Sequence, residues 1–190
     1  MRQMKTKICK QCGQEFVPRK AMQAVCDIQC AIAQSRQKQR DNAEKAFRKK
    51  NRLDRERIKT KTDWAKEAQF AFNSWIRERD HDQPCISCQR HHNGQYHAGH
   101  YRTTKAASQL RFNSYNCHKQ CQPCNTSLSG NITEFRINLV RKIGQQRVEE
   151  IEHNNSLAHH DIEYYKRVKK IFTKRAKLYG RLHEYSNYTG

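Results

Sequence analysis

Eight of the nine cysteines fall into two quartets, and that spacing constrains this chain more than any other feature. Cys9 and Cys12 lie thirteen residues before Cys26 and Cys30, while Cys85 and Cys88 are matched by Cys121 and Cys124 across a longer stretch. Four thiolates close a tetrahedral zinc shell, and Cys-x-x-Cys knuckles deliver them in pairs without strain. Each quartet is therefore expected to hold one structural Zn²⁺. The first makes a small N-terminal finger, with Phe16 and Val17 available to pack beneath it. The second pins both edges of the segment it brackets. Cys117, the ninth, reads as a small buried residue and not a reactive thiol.

Charge narrows the partner. The 190 residues carry 38 Lys+Arg against 18 Asp+Glu, a formal charge of +20. An excess of that size opposes compaction by self-repulsion, and nucleic-acid phosphate is the commonest counter-charge. With 35% hydrophobic residues the chain has no run of about 20 apolar positions, so no membrane partner is expected. Met1 to Lys5 lacks the apolar stretch of a signal peptide, so a soluble cytoplasmic protein with reduced thiols is expected.

The fold class expected is α+β and mainly helical, in four parts. Residues 1–30 form the four-cysteine finger, 31–80 a long basic helical arm, 81–152 the zinc-stapled core, and 153–190 a basic C-terminal helix. Within the arm Trp64, Ala68, Ala71, Phe72, Trp75 and Ile76 recur at helical spacing and should pack on the next part. The earlier stretch is polar on every face and offers Lys49, Lys50, Arg52 and Arg55 to phosphate. In the core, 95–101 and 110–112 read as short strands, with Gly99 a bulge or a point of close approach. A helix should start near Gln122 with Pro123 in its first turn. Another should start at a capping box, Asn131 to Glu134, and end at Gly144. A short helix follows over 148–152, then a C-terminal one over about 161–185. Lys166, Arg167, Lys169, Lys170, Lys174 and Arg175 make that last helix a second DNA-binding candidate, and Arg102, Lys105 and Arg111 add charge within the core. Val168, Ile171, Phe172, Leu178 and Leu182 recur at helical spacing, so its aromatic content points more to packing than to base stacking.

The bracketed stretch holds His97, His100, Asn113 and Asn116, and Asn125 follows the last cysteine. An imidazole to activate water, an amide to orient it and donors for a hard cation make up the inventory for metal-assisted phosphodiester hydrolysis. The run Cys85-Ile86-Ser87-Cys88, with Ala98-Gly99-His100-Tyr101, Asn116 and Cys121-Gln122-Pro123-Cys124-Asn125, resembles the HNH or ββα-metal nucleases with a structural zinc. Adding the N-terminal finger, Leu110-Arg111-Phe112-Asn113 and Ser129-Gly130-Asn131, the chain resembles over nearly its whole length the lambdoid phage NinG, or Rap, recombination proteins.

That resemblance implies an endonuclease that cuts branched DNA, such as Holliday junctions and D-loops, with Mg²⁺ or Mn²⁺ in the host cytoplasm. It implies His100 as general base, Asn116 as the group orienting that ring or the adjoining backbone, and Asn125 as a contact to the catalytic cation. The family's usual metal ligand before the base is replaced here by Gly99. His97 is the nearest substitute, and it can reach the same side as His100 only if Gly99 hosts a bulge or sharp turn. Asn113 is the alternative to Asn116. His91 and His92 read as loop residues. A junction's two-fold symmetry suggests a homodimer, joined through the arm or the finger. The competing expectation is a zinc-dependent nucleic-acid-binding adaptor that cuts nothing, or a zinc ribbon of the ribosomal or transcription machinery.

Overall fold

The computed structural model describes residues 5–188, with side chains through His183. The fold is mixed α+β and mostly helical, and the chain divides into two compact units, Met1–Lys59 and Thr60–Gly190.

The first unit opens with a two-stranded ribbon, β1 (Lys7–Ile8) antiparallel to β2 (Glu15–Phe16). Gly13 lies in the left-handed region (φ 75°) at the knuckle between them and donates its N–H to Cys9 O at 2.9 Å. Phe16 is partly buried, but Val17 is 65% exposed and Pro18 is the buried neighbour, so Val17 does not pack under the finger. Helix α1 (Ile28–Arg57) starts inside the quartet: Asp27 caps it by accepting from Cys30 N at 2.7 Å. The finger and its helix are thus continuous. None of the residues of α1 is buried, in keeping with its all-polar pattern.

The expected single arm over 31–80 is instead two helices. Helix α1 is C-capped at Ile58, and Thr60 opens α2 (Lys61–Arg79) with a complete capping box. Asp63 N donates to Thr60 Oγ1 (3.2 Å) and Thr60 N donates to Asp63 Oδ2 (2.9 Å). Physically the boundary falls at this cap, because the apolar stripe begins just after it. All six stripe residues of α2 are buried against α5 (Ile162–Tyr188). Phe72 is the centre, its ring meeting Phe172 at 4.9 Å, Phe112 at 5.7 Å and Trp75 at 6.0 Å between centroids. On α5, Tyr165, Val168 and Phe172 are buried, whereas Ile171, Leu178 and Leu182 remain about half exposed.

The hairpin β3 (Tyr96–His100) and β4 (Cys117–Cys121) packs on the same core through Ala98 and Cys117. The second strand was expected at 110–112. Those residues form the end of a 3₁₀ turn, Ser108–Leu110, and the loop after it, and Leu110 is buried in a second core. That core joins Ile86, Tyr101 and Ala107 to α3 (Ile132–Ile143) and α4 (Gln145–His153), through Phe135, Leu139, Val148 and Ile151. After β4 the expected helix starts at Gln122 with Pro123 in its first turn, and it runs as one π-helical turn, Pro123–Ser127. Asn131 precedes α3 in the left-handed region (φ 43°) with no side-chain cap, so the expected capping box is not made. Gly144 (φ 86°) does end α3.

A buried carboxylate ties α2 to the hairpin. Asp80, 3% exposed, accepts from Arg79 Nη2 (2.6 Å), Arg79 Nε (2.9 Å) and Lys119 N (3.0 Å), with Lys142 Nζ at 3.5 Å. Arg79 also donates to Ser114 O and Cys117 O. Burial works against the charge, yet the His118 ring, the Arg79 guanidinium and the Lys142 ammonium outweigh it and hold the carboxyl well below its ordinary 3.8. Its stabilisation is complete above the unfolded value and is lost as pH falls below about 3.8 towards the depressed native value. Asp80→Asn should cost about 3–5 kcal/mol at pH 7, since it leaves buried cations unpaired. Urea unfolding of the two zinc-loaded proteins at pH 7 will measure the gap.

Candidate functional site

Both quartets are assembled. In each, the four sulfurs lie within 4.8 Å of one another. In the first, Cys26 Sγ is 3.7 Å from Cys12 Sγ and 3.5 Å from Cys30 Sγ, and Cys26 N donates to Cys9 Sγ at 3.4 Å. Backbone N–H groups, that of Cys12 foremost, bring the Cys9 thiol down to about 6. In the second, Cys121 N donates to Cys85 Sγ at 3.3 Å and Cys88 Sγ lies 3.9 Å from Cys121 Sγ. Burial opposes ionisation of Cys85, but backbone donors led by Cys121 N lower its pKa. Four sulfurs with N–H groups aimed at them are a donor set that fits zinc. The second knuckle needs a left-handed residue, supplied by Gln89 (φ 56°), whose N donates to Cys85 O. His92 is not a plain loop residue: its Nε2 is 3.2 Å from Cys88 Sγ and its N–H donates to Tyr96 Oη at 2.6 Å. His91 is exposed.

The sulfur staple fixes what β3 and β4 present. Their register runs unbroken from Tyr96 opposite Cys121 to His100 opposite Cys117, so Gly99 is no bulge. It is a close approach, because a Cβ there would lie 2.1 Å from Gln120 Oε1. Gln120 crosses over Gly99 to donate to Ser87 Oγ (2.7 Å) and Gly130 O (2.6 Å). With regular alternation kept, His97 and His100 face opposite sides of the strand.

The candidate residues therefore separate into two groups. On one side Asn125, in the π-helical turn, donates from Nδ2 to His97 Nδ1 at 2.9 Å. On the other, His100 meets Phe72 of α2 at 6.0 Å, its Nε2 donates to Arg111 O at 2.9 Å, and its Nδ1 lies 3.6 Å from Cys117 Sγ. Burial lowers the His100 pKa, keeping the ring neutral at pH 7, and pushes the Cys117 thiol far up, so that cysteine is inert. Asn116, fully buried, works on the backbone: Oδ1 accepts from Arg102 N (2.8 Å), while Nδ2 donates to Arg102 O (2.9 Å) and Leu110 O (3.3 Å). It closes the loop whose Arg111 carbonyl holds His100. Asn113 serves a turn, accepting from Tyr115 N.

Several basic candidates have structural partners. Arg102 donates to Ile151 O, Glu152 O and Asn154 O, closing the C-terminal end of α4. Lys169 pairs with Glu67 (2.8 Å), Lys166 with Glu163 (2.7 Å), and both lie over Trp64. Arg175 lies over Trp75 and Phe172. Lys105, Arg167, Lys170 and Lys174 are exposed, as are Lys49, Lys50, Arg52 and Arg55 on α1. Arg111 lines a groove of about 620 Å³ with Lys61 and Lys66, and its Nε is buried with no hydrogen-bond partner among the described residues.

The staple makes a direct prediction. Cys121→Ser should remove one of two thiolate centres, halving the thiolate-to-cobalt charge-transfer absorbance of the Co²⁺-substituted protein. It should also broaden the thermal unfolding of the Thr60–Gly190 unit; full absorbance in the variant would refute the assignment of the second quartet.

Comparison with known proteins agrees in one direction. The chain is 42% identical to Protein ninG of Escherichia phage lambda over 185 residues, covering 89% of this chain and 91% of that protein. It is 40% identical to Protein ninG of Escherichia phage 933W over 184 residues, with the same coverage, and 38% identical to that of Salmonella phage P22 over 185 residues, again 89% and 91%. No solved structure matches it. No helix among the described residues is long and apolar enough to cross a membrane. The family model described as Bacteriophage Lambda NinG protein matches residues 1–181, and the chain belongs to that family.

Proposed function

We propose that the protein is a divalent-cation-dependent endonuclease that cuts branched DNA, the substrate class its family resemblance implies. The observation that carries this reading is the His97–Asn125 contact. A sulfur-stapled strand and the turn beyond it set an imidazole against a carboxamide. Those two residues would hold the cation, which would polarise a phosphoryl oxygen of the scissile phosphate. Neither is a carboxylate, so the donor set suits Mn²⁺ better than Mg²⁺, with phosphate and water completing the shell. The family resemblance implies His100 as the base. Its Nε2–H is committed to Arg111 O and its lone pair sits on Nδ1, which faces the Cys117 thiol across the strand from His97 and Asn125. A base role therefore requires the ring to turn out of the Phe72 core when DNA binds.

Binding comes from charge outside that pair. The groove lined by Lys61, Lys66 and Arg111 offers three cations to phosphate oxygens. Lys170 and Lys174 extend the basic surface on α5. Phosphate contacts carry no sequence information, so recognition is of branched shape. A two-fold dimer would match two-strand cutting, and sedimentation of the protein on a four-way junction checks it.

A second reading is favoured by one observation: His100 lies against Phe72 and Cys117, across the strand from His97 and Asn125. On that reading the protein is a zinc-dependent adaptor that binds nucleic acid and cuts nothing. Labelled four-way junction and linear duplex, incubated with Mn²⁺, Mg²⁺ or EDTA, separate the two. Junction cutting should require the cation, and His97→Ala, Asn125→Ala and His100→Ala should each lower its rate by about 10²–10⁴-fold while binding persists. If none of the three alters cutting, this site is not the nuclease. If no cation supports cutting by the zinc-loaded protein, the adaptor reading stands. The double variant Lys170→Gln/Lys174→Gln should bind all junctions more weakly and reduce the magnitude of the log Kd against log salt slope by about 2.

A further inference from the structure

Outside both quartets a third group of metal-compatible side chains converges in the second unit. His81 and Asp82 sit in the turn that follows α2, and His183 reaches them from α5 across a hundred residues of chain. His81 Nδ1 is 2.7 Å from Asp82 Oδ1, and His183 Nδ1 is 3.9 Å from Asp82 Oδ2. All three ligand atoms lie within 4.8 Å of one another, and the imidazole rings face each other at 4.5 Å with a 32° tilt. Around a cation with bonds of about 2.0–2.1 Å, ligand atoms stand roughly 3.3–4.2 Å apart, so small side-chain rotations suffice.

Two further features suit a ligand set. The first is the orientation of His183: its Nε2 donates to Glu78 O at 2.8 Å, which fixes the proton there and leaves the lone pair on Nδ1, the atom turned to Asp82. A metal-binding histidine is held in this way when its other ring nitrogen donates to a backbone carbonyl. The second is the anchoring of the turn. His81 N donates to Glu78 O, Gln83 N donates to Asp80 O, and Lys119 Nζ donates to His81 O at 2.6 Å. That ammonium also sets a positive charge beside the group. A hard ion held by field alone is disfavoured there, while a borderline ion held by coordination to imidazole is not.

We propose that His81, Asp82 and His183 form a third metal site, for a borderline transition ion of the Zn²⁺, Co²⁺ and Ni²⁺ class, with three protein ligands and at least one position left to water. Asp82 is 76% and His81 55% exposed, so the site is open to solvent, unlike the buried sulfur centres. Its occupant clamps α5 to the turn after α2, reinforcing the contact that the Phe72 core makes farther along the same two helices. The site does not depend on whether the protein cuts DNA.

The test uses the full chain with both quartets filled with Zn²⁺, titrated with Co²⁺ in the absence of DNA. One further equivalent should bind, with ligand-field bands of a nitrogen and oxygen site and no thiolate charge transfer, and the thermal midpoint should rise with Co²⁺ concentration. His81→Ala and Asp82→Asn should each lose that equivalent and the thermal shift, and His183→Ala likewise. His159→Ala, a histidine outside the group, should keep both. Because His81 and Asp82 are exposed, their variants remain informative if His183→Ala fails to fold. No uptake beyond the quartets, uptake that shows thiolate charge transfer alone, or uptake undiminished in His81→Ala and Asp82→Asn overturns the proposal.

Discussion

The four-sulfur cluster of Cys85, Cys88, Cys121 and Cys124, a donor set that fits zinc, is the constraint on which the second unit depends. The hairpin it closes is two strands of five residues each, too short to be stable alone in water. Joining the start of the segment to its end removes much of the chain entropy that would otherwise oppose pairing. Once the register is set, consequences follow in order. Gln120 must cross Gly99, Cys117 must enter the Phe72 core, and the loop between the strands must close, which Asn116 does from inside. The strand's two histidines are then committed to opposite sides.

Charge is used in two ways in this chain. Cations at Arg79, Arg102, Lys142, Lys166 and Lys169 are spent on architecture: they pair with carboxylates, donate to carbonyls or lie on indole rings. Others, on α1 and along the outer side of α5, face solvent and are available to a polyanion. The distinction matters because an arginine serving three carbonyls adds to net charge but not to a binding surface. A high formal charge therefore overstates the number of phosphate contacts.

Features set by local periodicity or spacing were legible in the sequence: both quartets, the six-residue stripe of α2, the start of β3, the end of α3 at Gly144 and the all-polar α1. Those that depend on distant partners were not. Residues 110–112 look like a strand because Leu and Phe alternate with Arg, but Leu110 is drawn into the α3–α4 core and the chain turns there. The split of the basic arm was written in Thr60 and Asp63 and was outweighed by continuous helix propensity on either side. Asp80 gave no signal at all, since its partners lie 38 and more residues away, apart from Arg79. In the candidate site the residue types were visible in the sequence, but strand parity decided which of them meet: His97 finds Asn125, and His100 finds Arg111 O.

The absence of buried residues along α1 leaves its length unselected by packing. Inserting or deleting a residue there displaces no core side chain; it turns everything N-terminal to the change by about 100° and moves it by about 1.5 Å along the axis. A change of length in this segment would therefore re-aim the cysteine finger about the axis of α1 without disturbing a packed core.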